Sequence, residues 1–240
     1  MKPVLVLGPS LGTSSVTLWS ACAALLADDF EVLGWDLPGH GDEPVVGDVT
    51  IADLARGVLD EVEGPFFYAG DSVGGAVGLQ LALDAPDRVR GVVALCTGAR
   101  IGTAEGWTER IEQVRASGTP SLVSASAGRW FGPGFVEREP DRASALLHAL
   151  SDAADEGYVA VCGALAQFDV RDRLGEIAVP VLAVAGAEDA VCPPDLLREI
   201  ADGVPGGRYA ELAGVAHLAP AEAPDAVATL IREHCREAIR

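Results

Sequence analysis

A serine hydroxyl can attack a carbonyl only if the chain holds it out and a base takes its proton. Gly70-Asp71-Ser72-Val73-Gly74-Gly75 carries the pattern G-x-S-x-G, in which a tight strand-to-helix turn presents the serine above the end of a sheet. Glycines at both ends of the pattern suit such a turn, because side chains there would collide across it. Of the four histidines, His217 in Gly214-Val215-Ala216-His217 follows the last strand signal, where a loop can reach back over Ser72. His40 lies in a glycine-flanked loop, where it packs or lines the site; His148 lies in a helical stretch and His234 in the closing helix. The chain order serine, acid, histidine asks for a carboxylate between Ser72 and His217. Gly186-Ala187-Glu188-Asp189 follows a buried strand signal. Asp189 is the expected acid that orients the imidazole, and Glu188, one residue out of register, is its rival. Two backbone N–H groups must hold the developing oxyanion. Val73, next after the serine, supplies one. The other comes from Gly8-Pro9-Ser10-Leu11-Gly12-Thr13, where Pro9 has no N–H and Leu11 is preferred over Ser10.

Those residues need a scaffold, and the chain alternates strand and helix signals as a parallel sheet with crossover helices does. Strands are predicted at residues 4–7, 30–35, 65–69, 89–96, 181–185 and 209–212. Leu18, Cys22, Leu25 and Leu26 recur at helical spacing. Thr50, with Asp53 three positions on, reads as the cap of the next helix. A small-residue helix is predicted over 74–85, another around 196–200, and a closing one from Pro224. Between 101 and 168 no buried strand signal occurs, so this stretch is expected to be a helical cap inserted into a single 1–240 domain. The fold class is therefore α/β, mostly parallel, with helices on both faces of the sheet.

With 240 residues, half of them apolar, the chain is long enough for one large core. Its formal net charge of -19 repels nucleic acid and anionic membrane surfaces, so neither is an expected partner. Cys22, Cys96, Cys162, Cys192 and Cys235 are scattered, without a C-x-x-C pair. Neither a disulfide framework nor a zinc site is expected, and a reducing cytoplasm is the simplest compartment. The apolar run after Met1-Lys2-Pro3 stops at Gly8, too short for an export signal.

Several stretches resemble one family. Cys96-Thr97-Gly98-Ala99-Arg100-Ile101-Gly102-Thr103-Ala104-Glu105-Gly106-Trp107, Ser10-Leu11-Gly12-Thr13, Arg129-Trp130-Phe131 and Gly214-Val215-Ala216-His217-Leu218 are similar to segments of the 3-oxoadipate enol-lactonases. The resemblance implies the α/β-hydrolase fold. It also implies hydrolysis of 3-oxoadipate enol-lactone to 3-oxoadipate in bacterial aromatic breakdown, with a small-molecule substrate and neither metal nor organic cofactor. That substrate carries a free carboxylate while the chain is acidic, so its capture must be local. Trp130 and Arg129 are the expected contacts, with Arg100 and Trp107 behind them. Two departures stand out: the family's N-terminal hairpin has no counterpart ahead of the first strand signal, and Asp71 replaces the apolar residue usual beside the serine. The same triad would serve other small esters or lactones, a thioesterase-like cyclase, or, with catalysis lost, a small-molecule receptor.

Overall fold

The computed structural model describes residues 2–238. Six strands, β1 (Val4–Gly8), β2 (Glu31–Gly34), β3 (Phe66–Asp71), β4 (Val89–Leu95), β5 (Val181–Gly186) and β6 (Arg208–Leu212), form one sheet in the order β2-β1-β3-β4-β5-β6. Every neighbouring pair is parallel. Strands covered on both faces should read as continuous apolar runs. So β3 and β5 do, being buried at every residue, whereas edge strand β2 is largely exposed.

Helices α1 (Ser15–Leu26), α2 (Ile51–Glu61) and α3 (Val73–Asp84) follow the first three strands. Ser14 caps α1, and Thr50 with Asp53 forms the reciprocal capping box of α2 that their spacing predicts. Between β4 and β5 the chain forms α4 (Ala104–Ser117), α5 (Val123–Trp130), α6 (Phe135–Arg138), α7 (Pro140–Asp152) and α8 (Asp155–Gln167), with short 3-10 turns and no strand. Then come α9 (Pro194–Gly203), α10 (Ala219–Glu222) and α11 (Pro224–Ala238). Helices cover both faces: α3 packs on β1, β3 and β4, with α2 against it, while α11 packs on β4 and on α1. No helix among the described residues is long and apolar enough to cross a membrane.

The chain leaves β1 toward the β2 edge and returns to β3 on the other side. The carboxyl ends of β1 and β3 therefore flank the point where the strand order reverses, the crevice in which open parallel sheets bind ligands. The Ser72 turn and the loop after β1 both open there.

Candidate active site

Ser72 joins β3 to α3 with φ 54° and ψ -118°, a left-sided backbone that costs a non-glycine residue energy. The surroundings enforce it. Ser72 N–H donates to the Leu95 carbonyl at 2.9 Å, and Thr97 Oγ1 donates to the Ser72 carbonyl at 2.6 Å. A Cβ on Gly74 would lie 2.6 Å from backbone atoms of Gly8 and Pro9, and one on Gly70 would strike the Gly74 backbone. The turn closes because both positions lack that atom.

The Ser72 hydroxyl meets His217 Nε2 at 3.0 Å, and His217 Nδ1 meets Asp189 Oδ2 at 2.9 Å. An ionised carboxylate only accepts, so Nδ1 carries the proton and Nε2 is left to accept from the serine. The other Asp189 oxygen accepts from the amides of Val191 (2.7 Å) and Cys192 (3.0 Å), which fixes the carboxylate. Ser72, Asp189 and His217 are all buried. Glu188 is exposed, so the one-residue choice falls on Asp189. The remaining histidines stand apart. His40 is buried, stacks on Tyr158 and bonds the Pro38 carbonyl, with burial holding its pKa down. His148 is exposed beside Ser144, and burial lowers His234 to about 4.

Among the described residues, one trio has metal-ligand spacing: Asp189, Cys192 and His217. Asp189 and His217 are already bonded to each other, and burial holds Cys192 as a thiol. A cation site needs a thiolate and a free imidazole nitrogen, so this trio does not suit one.

Three hydrogen bonds shape the loop after β1. Trp19 Nε1 donates to the Gly8 carbonyl (2.9 Å), Thr13 Oγ1 to the Ser10 carbonyl (2.9 Å), and Ser10 N–H to Thr13 Oγ1 (3.2 Å). The Ser10 amide is thus occupied. Neither the Leu11 amide nor the Val73 amide has an acceptor among the described hydrogen bonds, and Leu11 lines the cavity beside Ser72.

That cavity measures about 230 Å³ and is walled by Ser72 and His217 on one side and by α4, α5 and α8 on the other. Trp130, Arg129 and Trp107 line it, as the sequence leads one to expect. Trp130 is buried, and its carbonyl accepts the His217 N–H at 3.1 Å, tying the helical segment to the histidine loop. Trp107 is anchored by Nε1 to the Ile101 carbonyl at 2.6 Å. Arg100 is a correction: it lines not this cavity but the adjoining depression with Arg171, Pro193 and Asp195. Its charge acts on Asp169 there, whose carboxyl is held low first by its bond to Arg171. Arg110 and Tyr158, which the sequence reading passed over, are in the wall instead. Arg110 lies three residues after Trp107 on α4, so helical spacing alone could have found it.

Three further residues surround the site. Glu222 accepts from Gly132 N–H (2.6 Å) and Ala216 N–H (3.0 Å), strapping the loop before His217, and burial raises its carboxyl. Cys96 also has positive φ, 46°, and its thiol donates to the Ala216 carbonyl at 3.4 Å. Asp71 is fully buried, and neither of its oxygens has a partner. Burial, then the charge of Asp189, push its carboxyl well above the ordinary range. That direction favours the protonated, uncharged form of Asp71 beside Ser72.

The chain is 38% identical to 3-oxoadipate enol-lactonase 2 of Acinetobacter baylyi over 195 residues, 79% of this chain and 73% of that one. The structure of the enol-lactonase from Burkholderia xenovorans LB400 superposes with a TM-score of 0.94 at 32% identity, covering 98% of this chain and 92% of that one. A thermophilic esterase from Thermogutta terrifontis superposes at 0.91 with 26% identity, over 99% of this chain and 90% of its own. The alpha/beta hydrolase family model matches residues 4–230, and the chain belongs to that family, with enol-lactonases among its relatives.

Proposed function

We propose that the protein hydrolyses 3-oxoadipate enol-lactone to 3-oxoadipate through an acyl-enzyme on Ser72. The observation that carries this reading is the bonded series Ser72–His217–Asp189 opening into a small cavity. At about 230 Å³ the cavity is below the range of about 300 Å³ and upward where drug-sized ligands bind. It suits a single five-membered ring better than a long acyl chain or a carrier-bound thioester. The similarity to enol-lactonases supports the same choice.

In the proposed cycle Ser72 Oγ attacks the ring carbonyl while His217 Nε2 takes its proton. Asp189 holds the imidazolium in place. The carbonyl oxygen becomes an oxyanion between the Leu11 and Val73 amides, neither of which has an acceptor among the described hydrogen bonds. Collapse breaks the bond to the ring oxygen, which leaves as an enol protonated from His217 and tautomerises to the ketone. An enol is a better leaving group than an alkoxide, and the ketone cannot simply re-close the ring. Water then enters, gives a proton to His217 Nε2 and attacks the ester carbon. The second tetrahedral intermediate expels Ser72 Oγ, which recovers its proton from His217.

The test is turnover of freshly generated 3-oxoadipate enol-lactone by the native chain and by Ser72→Ala. The substitution should cost on the order of 10⁶ in kcat. Ser72-dependent hydrolysis of activated esters with no lactone turnover would keep the triad and reject the substrate. Turnover that survives Ser72→Ala would reject the mechanism.

A further inference from the structure

Two arginines share the cavity wall with no counter-charge. Arg110 on α4 and Arg129 on α5 line it together with Tyr158 on α8, and none of the residues lining the cavity is an aspartate or glutamate. Among the described residues neither guanidinium has an ion-pair partner, although the chain's formal net charge is -19. The two cations also feel each other: burial first, and then the Arg110 charge, hold the Arg129 guanidinium below its ordinary pKa. Burial pushes the Tyr158 phenol up to about 12 against the pull of both arginines, so its hydroxyl stays protonated and able to donate. Like charges brought together at a partly buried wall are unfavourable until an anion bridges them. Guanidinium groups bind a carboxylate through paired, charge-assisted hydrogen bonds.

We propose that Arg110, Arg129 and Tyr158 form a carboxylate clamp, making the preferred substrates half-esters and lactones of short dicarboxylic acids. This rests on Ser72 acting at the same cavity, and it adds Arg110 and Tyr158 as specificity-determining residues. The free diacid itself should occupy the site, one carboxylate on the clamp and the other near the Leu11 and Val73 amides.

The experiment compares the mono-4-nitrophenyl ester of adipic acid with 4-nitrophenyl hexanoate, which has the same carbon count and no charge. The native protein should prefer the charged ester by about ten- to a hundredfold in kcat/KM, the worth of hydrogen bonds to a charged group. In Arg110→Met and Arg129→Met, which keep the apolar stems, that ratio should fall toward one. Equal use of the two esters by the native protein, or a preference that survives both substitutions, would overturn the clamp and leave Ser72 chemistry standing. A binding measurement separates the two readings if neither ester is turned over. At fixed ionic strength adipate, but not hexanoate, should raise the Tm of Ser72→Ala, and the added Arg110→Met change should abolish the shift. An Arg110-dependent shift without hydrolysis would uphold the clamp and reject the hydrolase reading; no shift would overturn the clamp.

Discussion

Asp71→Leu should make the protein more stable, by an amount that grows with pH. The carboxyl of Asp71 is fully buried with both oxygens unpartnered, and a polar group left in that state costs about 1–3 kcal/mol. Leucine has the same branched skeleton of four side-chain heavy atoms and would remove that cost. The pH dependence follows from the raised carboxyl. The unfolded chain ionises it near the ordinary value of about 3.9, while the native carboxyl, pushed upward by burial, keeps its proton to higher pH. The native state therefore binds more protons than the unfolded one above that value, and stability falls as pH rises until the folded carboxyl ionises in turn. Within this window the slope for one site is about 1.4 kcal/mol per pH unit. Between pH 5 and pH 7 the advantage of Asp71→Leu should widen, by no more than about 2.7 kcal/mol, the limit for one proton. Urea unfolding of both proteins across that range measures it, since groups common to both cancel in the difference. Parallel stability curves, or a leucine variant less stable throughout, would refute the account of Asp71 as a buried neutral acid.

Other substitutions probe the turn, the acid and the cavity wall. Gly74→Ala places a Cβ 2.6 Å from the Gly8 and Pro9 backbone; it should lower Tm and abolish ester hydrolysis together, and a variant with native Tm and activity would show that the turn is looser than described. Asp189→Asn should leave the fold intact and reduce kcat by about 10⁴, because the amide oxygen stays on the Val191 and Cys192 N–H groups and its NH2 then donates to Nδ1, favouring the wrong tautomer; stopped assays on an activated ester measure this. Trp130→Ala removes a buried wall whose carbonyl anchors His217. It should cost about 3–5 kcal/mol of stability and lower kcat/KM for the lactone; unchanged kcat/KM would take its side chain out of the site.

The Ser72 turn was legible in the sequence because it is a local event. Glycines at fixed offsets, a buried run before and small residues after specify a strand, a strained corner and a helix, and β3 and α3 lie on either side of Ser72. Strand and helix periods likewise report burial over a few residues, and all six strands follow the apolar runs. Edge strand β2 is shorter than its apolar stretch, having only β1 beside it. Choices between rival candidates, near or far in the chain, were expectations that the structure had to decide. Ser72 and His217 are 145 residues apart and meet at 3.0 Å only because β3 and the loop after β6 end on one side of the sheet. Asp189 rather than Glu188 turns inward because its neighbours' amides, at Val191 and Cys192, fold back onto its carboxylate. Leu11 rather than Ser10 keeps a free amide because Thr13 engages Ser10. Arg110 replaces Arg100 in the cavity because the side of α4 that bears Trp107 and Arg110 faces Ser72, whereas Arg100 looks toward Asp169. Local composition determines backbone shape and burial; which side chains converge across the fold is decided by packing among elements distant in the chain, and only the tertiary structure carries that.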